Sequence, residues 1–302
     1  MATGRGASSP SKRDRREEAR ETARKMREEA AKKAKRRKVI VQSSVIVGIV
    51  AVLAIVGVVI FTSVSASSNV ANPKNMLSGG ILLEKADKAV TTPAIASGAE
   101  PTATKQTLDG KTAHIQIWLD YQCPYCNQFE TTNSDQMKQM MADGSATLEI
   151  HPVAILDSSQ NKEYATRAAA AASCVANYEP NKFFDVNSAL FANQPDEQTG
   201  TGLTNEQILG VFKDAGVESD AITKCVNDQT YAKFITNRTQ SAVKDKQLVN
   251  PSTGSFGTPT VFVNGQRYQG GFTDADQFKA FVAAAVKDAG DSGSVTFPTP
   301  GK

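Results

Sequence analysis

The stretch His114-Ile-Gln-Ile-Trp-Leu119, followed closely by Cys123-Pro-Tyr-Cys126, decides the fold. The first segment alternates polar and apolar residues and then becomes apolar, which is typical of a half-buried strand. Residues 123–141 carry apolar side chains at near-helical spacing, and Pro124 suits a first helical turn because its missing N–H costs nothing there. The sequence therefore predicts two cysteines where a strand ends and a helix begins.

The residues that follow predict an α/β domain. A second strand is expected over Ala146 to Leu156, with Pro152 at a bulge or an edge position. A strand, a helix and a strand at this spacing imply a parallel pair with a right-handed crossover. A helical insertion over about 158–248 precedes a hairpin, where Asn264-Gly265 suits a type I′ turn, and a last helix.

The spacing of Cys123 and Cys126 points to redox chemistry. Two thiols in the first turn of a helix can close a small disulfide ring. The partial positive charge and unpaired N–H groups of a helix start favour a thiolate at Cys123. A lowered pKa makes Cys123 both a nucleophile and a good leaving group. Cys126, one turn further in, is predicted to be more buried and to act as the resolving thiol.

A structural disulfide and a metal half-site are the alternatives for this pair. A zinc site needs a second pair of Cys or His ligands. Cys174 and Cys225 stand alone, and His114 and His151 have no partner at ligand spacing. We therefore expect no metal and no cofactor.

Cys174 and Cys225 lie on predicted apolar helix faces of the insertion. They are either buried free thiols or a structural disulfide of an exported domain. Closing a loop of about 50 residues stabilises a fold by roughly 4 kcal/mol in the chain-entropy model. We favour the disulfide. Asp120, beside the dithiol, either assists proton transfer or contacts solvent at the end of the strand.

Charge and hydropathy mark the N-terminal part as different. The 302-residue chain has a net charge of +3, yet residues 1–38 hold 15 basic and 6 acidic side chains, which indicates a solvated basic tail. Residues 45–61 carry no polar side chain. The whole segment 39–64 is interrupted by only five polar residues and, at ~1.5 Å per residue, is long enough to cross a bilayer as one transmembrane helix. The basic cluster at 35–38 predicts a cytoplasmic N-terminus and an extracytoplasmic remainder.

A signal peptide cleaved after Ala66 is the alternative to this membrane anchor. The charged leader is long, and the apolar run exceeds the usual ~7–15 residues, which favours an uncleaved anchor. Residues 65–110 are predicted to be an extracytoplasmic tether with a possible short hairpin. Residues 111–290 form the expected folded domain, and 291–302 a flexible tail.

The CPYC motif, the helical insertion and Gly257-Thr258-Pro259-Thr260 before a Val-Phe-Val strand resemble the DsbA/DsbG-like branch of thioredoxin-fold thiol–disulfide oxidoreductases. The resemblance covers about residues 112–288. It implies a cis Thr258–Pro259 bond facing the cysteines, where exposed backbone can pair with an extended substrate. It also implies exported cysteine-containing substrate proteins and a membrane partner, DsbB-like or quinone-linked, and no nucleic acid.

Two departures bear on the direction of the reaction. DsbA-type oxidases often have His at the position of Tyr125, which carries no positive charge to stabilise a thiolate. DsbG-type isomerases share CPYC and the threonine but carry a separate dimerisation domain, for which 65–110 is too short. We expect a disulfide-forming oxidase, with an isomerase or reductase as the alternative. Two rivals from other classes are a non-catalytic tethered binding module and a carrier of a monovalent metal.

Overall fold

The computed structural model describes residues 70–105, 109–197 and 200–292, all within one compact unit. The strands in this part of the chain are Ile81–Lys85 (β1), Lys88–Ala89 (β2), Ala113–Leu119 (β3), Ala146–Pro152 (β4), Thr260–Val263 (β5) and Gln266–Arg267 (β6). The helices are Pro124–Ala142 (α1), Tyr164–Tyr178 (α2), Phe183–Ala192 (α3), Asn205–Asp214 (α4), Asp220–Asn227 (α5), Ala232–Lys244 (α6) and Ala275–Ser292 (α7).

One sheet, in the order β2–β1–β4–β3–β5–β6, organises the domain. The predicted parallel pair is present, with Ala113 of β3 opposite Ala146 of β4. β5 runs antiparallel to β3. Every residue of β3 and β5 is buried, because both faces of the sheet are covered.

Alternation along β3 separates two apolar clusters. Ile115, Ile117 and Leu119 belong to the main core, which includes residues of α1 and α7. Trp118 points to the opposite face and packs in a second cluster with Phe262 and other residues. Because α1 begins just beyond β3, the two cysteines lie past the C-terminal end of this central strand.

The helical insertion consists of α2 to α6 between β4 and β5. Thr204 and Gln207 cap α4 reciprocally, as a capping box predicts: the Thr204 hydroxyl accepts from the Gln207 backbone N–H, and the Gln207 side chain accepts from the Thr204 N–H. The β5–β6 hairpin also follows the sequence. Asn264 and Gly265 have φ angles of 48° and 78°, as a type I′ turn requires.

The segment before residue 111 differs from the expected tether. β1 pairs antiparallel with β4, with Ile81 opposite Ile150, so the hairpin belongs to the central sheet. Met76, Ile81 and Leu83 are fully buried. The expectation of a tether is wrong for these residues, although the possible short hairpin is present: the run of three apolar residues, 81–83, after a Gly-Gly pair is too short to indicate a place in the central sheet.

The second predicted strand also ends earlier than expected. β4 stops at Pro152 instead of continuing to Leu156. The backbone N–H groups of Ile155 and Leu156 donate to the Asp120 carboxylate, at 2.7 and 2.9 Å, and therefore leave the sheet ladder.

Most predictions for the two ends of the chain concern residues outside those that the structure describes. The basic tail at 1–38 and the transmembrane helix at 39–64 lie outside the described residues, as does most of the tail at 291–302, of which the first two residues complete α7. Among the helices that the structure describes, none combines the length and the hydrophobicity needed to cross a membrane.

Candidate active site

The start of α1 presents Cys123. This residue immediately precedes the helix with extended backbone angles (φ −77°, ψ 119°), and Pro124 occupies the first turn. The helix start has no side-chain cap. The backbone N–H groups of Tyr125 and Cys126 instead bond to the Cys123 sulfur, which lowers the pKa of Cys123.

The two cysteines differ in acidity although both are buried free thiols. The hydrogen bond from the Cys126 side chain is the largest cause that lowers the pKa of Cys123, which reaches about 7. Burial raises the pKa of Cys126 well above its ordinary value. At neutral pH roughly half of Cys123 is therefore thiolate while Cys126 keeps its proton.

The loop before β5 completes the surroundings of the sulfur. The Thr258–Pro259 bond is cis, and the Cys123 thiol donates to the Thr258 carbonyl at 3.3 Å. Tyr125 is 57% exposed, and its ring lies 6.3 Å from that of Phe272. The structure thus brings together the CPYC motif and the Thr-Pro pair, which are 135 positions apart.

Asp120 is fully buried beneath the dithiol. Its carboxylate accepts the backbone N–H groups of Gln122, Ile155 and Leu156. The alternative of a solvent contact at the strand end is therefore wrong. Burial raises the pKa of Asp120 to about 8, so the group is mostly protonated at neutral pH. Its charge also raises the pKa of Cys126.

Glu130 is a second buried acid that the sequence analysis missed. It follows Cys126 by one helical turn, and its carboxylate accepts from Asn187 and Ser188 of α3, both at 3.0 Å. The Tyr121 hydroxyl donates to the same Asn187. Burial raises the pKa of Glu130 to about 7. An acid four positions after Cys126, on the buried face of the helix, was the available signal.

The insertion also contacts the turn that leads to Cys123. The Gln194 side-chain amide donates to the carbonyl oxygens of Tyr121 and Cys123, both at 3.0 Å. In return, the Gln122 amide donates to the carbonyl of Pro195 at 3.1 Å. No local pattern could reveal these bonds, because they join residues more than 70 positions apart.

The other two cysteines lie within the insertion. Cys174 of α2 and Cys225 of α5 form a disulfide, with Cα atoms 6.0 Å apart. It closes a loop across 51 positions of sequence. Both residues are buried in the main apolar core.

The two histidines do have a partner, across two strands. Glu149 lies between His114 and His151, with N···O distances of 3.2 and 3.8 Å. This carboxylate is fully buried and also accepts from Gln116 at 3.0 Å. In the described part of the chain, no group of three or more His, Cys, Asp or Glu side chains is arranged to hold a metal ion.

This fold and this dithiol define a thioredoxin-fold protein whose helix start carries the two thiols of a CPYC motif. Comparison with known proteins agrees with that class. The chain belongs to the thioredoxin family, since the family model described as Thioredoxin matches residues 110–288. The family match confirms the predicted thioredoxin fold, and the pair of free thiols at the helix start fits the predicted class of thiol–disulfide oxidoreductase.

Solved structures share the fold. Oxidised DsbA of Mycobacterium tuberculosis is 23% identical, with a TM-score of 0.51 over 71% of this chain and 100% of that chain. The MdbA thiol-disulfide oxidoreductase of Corynebacterium matruchotii is 18% identical, with a TM-score of 0.50 over 70% of this chain and 93% of that one.

One curated relative is much longer than this chain and matches it only in part. Serine/threonine-protein kinase PknE of Mycobacterium tuberculosis is 29% identical over 152 residues, which are 49% of this chain. The match covers 26% of the kinase, so the chain spans about a quarter of the length of this relative.

Proposed function

We propose that the protein is a membrane-anchored, extracytoplasmic oxidase that forms disulfides in exported proteins. The observation that carries the proposal is the pair of acidities at the start of α1. The pKa of Cys123 is lowered to about 7 and that of Cys126 is raised, so that one sulfur is exchangeable and the other holds its proton.

Thiolate stabilisation shifts the balance towards the oxidase direction. The shift is partial, because a thiol pKa of about 7 is typical of thioredoxin, whereas that of a strong oxidase falls to about 3.5. A thiolate held by hydrogen bonds stabilises the reduced enzyme, and a stable reduced form makes the oxidised form a stronger oxidant. Each unit by which the pKa falls is worth about 1.4 kcal/mol, or about 30 mV for this two-electron couple. The Cys174–Cys225 disulfide supports the extracytoplasmic location, since such bonds are typical of oxidising compartments.

The reaction starts from the Cys123–Cys126 disulfide. A substrate thiolate attacks the Cys123 sulfur, the enzyme disulfide breaks, and its electron pair leaves on Cys126. A second substrate thiolate then attacks the substrate sulfur of the mixed disulfide and expels the Cys123 thiolate. The substrate gains one disulfide, and the enzyme gains two electrons.

Asp120 supplies the proton that the first step needs. Cys126 leaves as a thiolate inside the protein, where burial strongly favours the thiol. Asp120 is mostly protonated near pH 7, because its pKa is about 8, and it interacts with both cysteines. We assign it as proton donor to Cys126 during oxidation of substrate and as acceptor when the enzyme is reoxidised.

The Thr258–Pro259 loop is the proposed substrate contact. The Thr258 carbonyl faces the Cys123 sulfur at 3.3 Å, so an extended substrate paired with this backbone places its cysteine beside the dithiol. The substrates are unfolded or cysteine-containing exported proteins. A membrane partner, DsbB-like or quinone-linked, takes the two electrons from the reduced dithiol.

The reduction potential of the Cys123–Cys126 couple, equilibrated against glutathione, tests the direction. We expect a value nearer to about −120 mV, typical of a strong oxidase, than to about −270 mV, typical of a reductase. A value near the lower figure would contradict the oxidase proposal and assign a reductase or isomerase with the same cysteines.

A further inference from the structure

The segment that directly follows α3 in the insertion is hydrogen-bonded to the turn that presents Cys123. Gln194 and Pro195 lie just after α3 and face residues 121–123. The Gln194 amide and the Gln122 amide each donate across this contact in opposite directions. Asn127 of α1 adds a bond to the Phe191 carbonyl at 2.6 Å.

The two hydrogen bonds of Gln194 differ from the other bonds of this contact in their acceptors. Their acceptors are the carbonyls of Tyr121 and Cys123, which belong to the turn that carries the reactive sulfur. A carbonyl oxygen carries partial negative charge, which disfavours a nearby thiolate. An amide that donates to both oxygens offsets that charge.

The same bonds fix the backbone conformation of the turn. The N–H groups of Tyr125 and Cys126 reach the sulfur only while Cys123 keeps its extended conformation ahead of α1. That position has no side-chain cap of its own. The carbonyl of Cys123 already accepts the first helical bond, from the Asn127 N–H at 3.2 Å, and Gln194 adds a second donor to it.

We propose that Gln194 is a positioning residue, through which the helical insertion holds the Tyr121 and Cys123 carbonyls and so sets the redox poise of the dithiol. The inference rests on the proposed exchange chemistry at Cys123 and applies to either direction of it. It assigns to the insertion a part in tuning the site. If the contact were only structural, it would stabilise the turn without changing the acidity of Cys123 or the reduction potential of the dithiol.

Gln194→Met tests the proposal, because it keeps the length of the side chain and removes both donors. We expect the ratio of thiolate to thiol at Cys123 to fall about threefold, an increase in its pKa of ~0.5 unit. Measured at about pH 8.5, where Cys123 is ionised in both proteins, the reduction potential then becomes more negative by about 14 mV, from roughly 30 mV per tenfold change. Gln194→Glu, which places a carboxylate against the two carbonyls, should raise the pKa further.

Two matched variants separate tuning from simple packing. Asn193→Ala removes the neighbouring amide, which donates only to the Ala189 carbonyl of its own helix, and should leave pKa and potential unchanged. Gln122→Met removes the reciprocal bond to Pro195 and should lower the melting temperature with a smaller effect on the pKa than Gln194→Met.

Each variant is compared with the wild-type protein in melting temperature, Cys123 pKa and reduction potential. If Gln194→Met and Gln194→Glu lower the melting temperature but leave the Cys123 pKa and the potential at wild-type values, Gln194 is only structural and the proposal is overturned. A reductase-like potential in the wild type would contradict the oxidase direction alone, because the shift caused by Gln194 is measured independently of it.

Discussion

The two cysteine pairs of this domain differ in bonding state and in the length of chain between their members. Cys123 and Cys126 are separate thiols at the start of α1, with two residues between them. Cys174 and Cys225 are joined across α2 and α5, at a sequence separation of 51. Closing the first ring restrains almost no chain, whereas closing the second restrains a long loop. The first pair is suited to exchange and the second to stability.

Burial does not distinguish the pairs. The exposed fractions are 4% and 2% for Cys123 and Cys126, and 0% and 3% for Cys174 and Cys225. What differs is the set of hydrogen-bond donors around one sulfur: Cys123 receives the Cys126 thiol and two backbone N–H groups of the helix start. Reactivity in this protein therefore follows from position on a helix and from neighbouring donors.

Removing the reactive sulfur should have the largest effect. With Cys123→Ala, oxidation of a dithiol peptide should fall to the uncatalysed rate, because no exchangeable sulfur remains. Cys126→Ala should instead accumulate a mixed disulfide between Cys123 and the peptide, visible as a mass increase on a non-reducing gel or by mass spectrometry.

The other pair provides the control for that experiment. Cys174→Ala/Cys225→Ala should retain turnover at a temperature where the variant is folded. Equal activity in Cys123→Ala and Cys126→Ala would contradict the assignment of nucleophile and resolving thiol.

Removing the structural disulfide should affect stability instead. Cys174→Ala/Cys225→Ala should lower the free energy of unfolding by about 4 kcal/mol, the loop-closure value for this separation. Denaturation in guanidinium chloride measures it. Cys123→Ala/Cys126→Ala should change the same quantity by much less, and a similar loss in both double variants would remove the distinction between the pairs.

A smaller, pH-dependent effect is expected at Asp120. The pKa of this carboxyl is raised to about 8, so it carries a proton at pH 7 and loses it as the pH rises through 8. Asp120→Asn should slow the attack of a substrate thiolate on the oxidised enzyme about tenfold at pH 7, a modest general-acid contribution. Stopped-flow measurement should show the difference shrinking above pH 8. A constant difference at every pH would argue against proton donation.

Much of this architecture follows from local sequence patterns. The alternation at 114–119, Pro124 at a helix start, the Thr204 capping box and the Asn264-Gly265 turn each specify local geometry through neighbouring residues. For that reason the parallel pair, the helix bearing CPYC and the final hairpin were predictable. The possible hairpin that contains β1 was predicted, but its place in the central sheet was not, because that place depends on pairing with the distant β4 strand.

The parts of the site that escaped prediction depend on contacts between distant residues. Gln194 lies 71 positions from Cys123, and nothing beside it in sequence marks it as a partner of the active turn. Glu149 lies two positions from His151 on β4, but it reaches His114 only because β3 and β4 are adjacent and in register. Spacing along one segment reveals the reactive pair, while the groups that tune it are set by tertiary packing.

The acidity of Cys123 is the most direct test of the account. Thiolate absorbance near 240 nm, followed against pH in the reduced protein, should show one sulfur titrating at about 7 and a second, Cys126, well above the ordinary cysteine range. Cys123→Ala should abolish the first transition. A first transition at about 8.5, the value of an unperturbed cysteine, would contradict the claim that the helix start and its donors activate this sulfur.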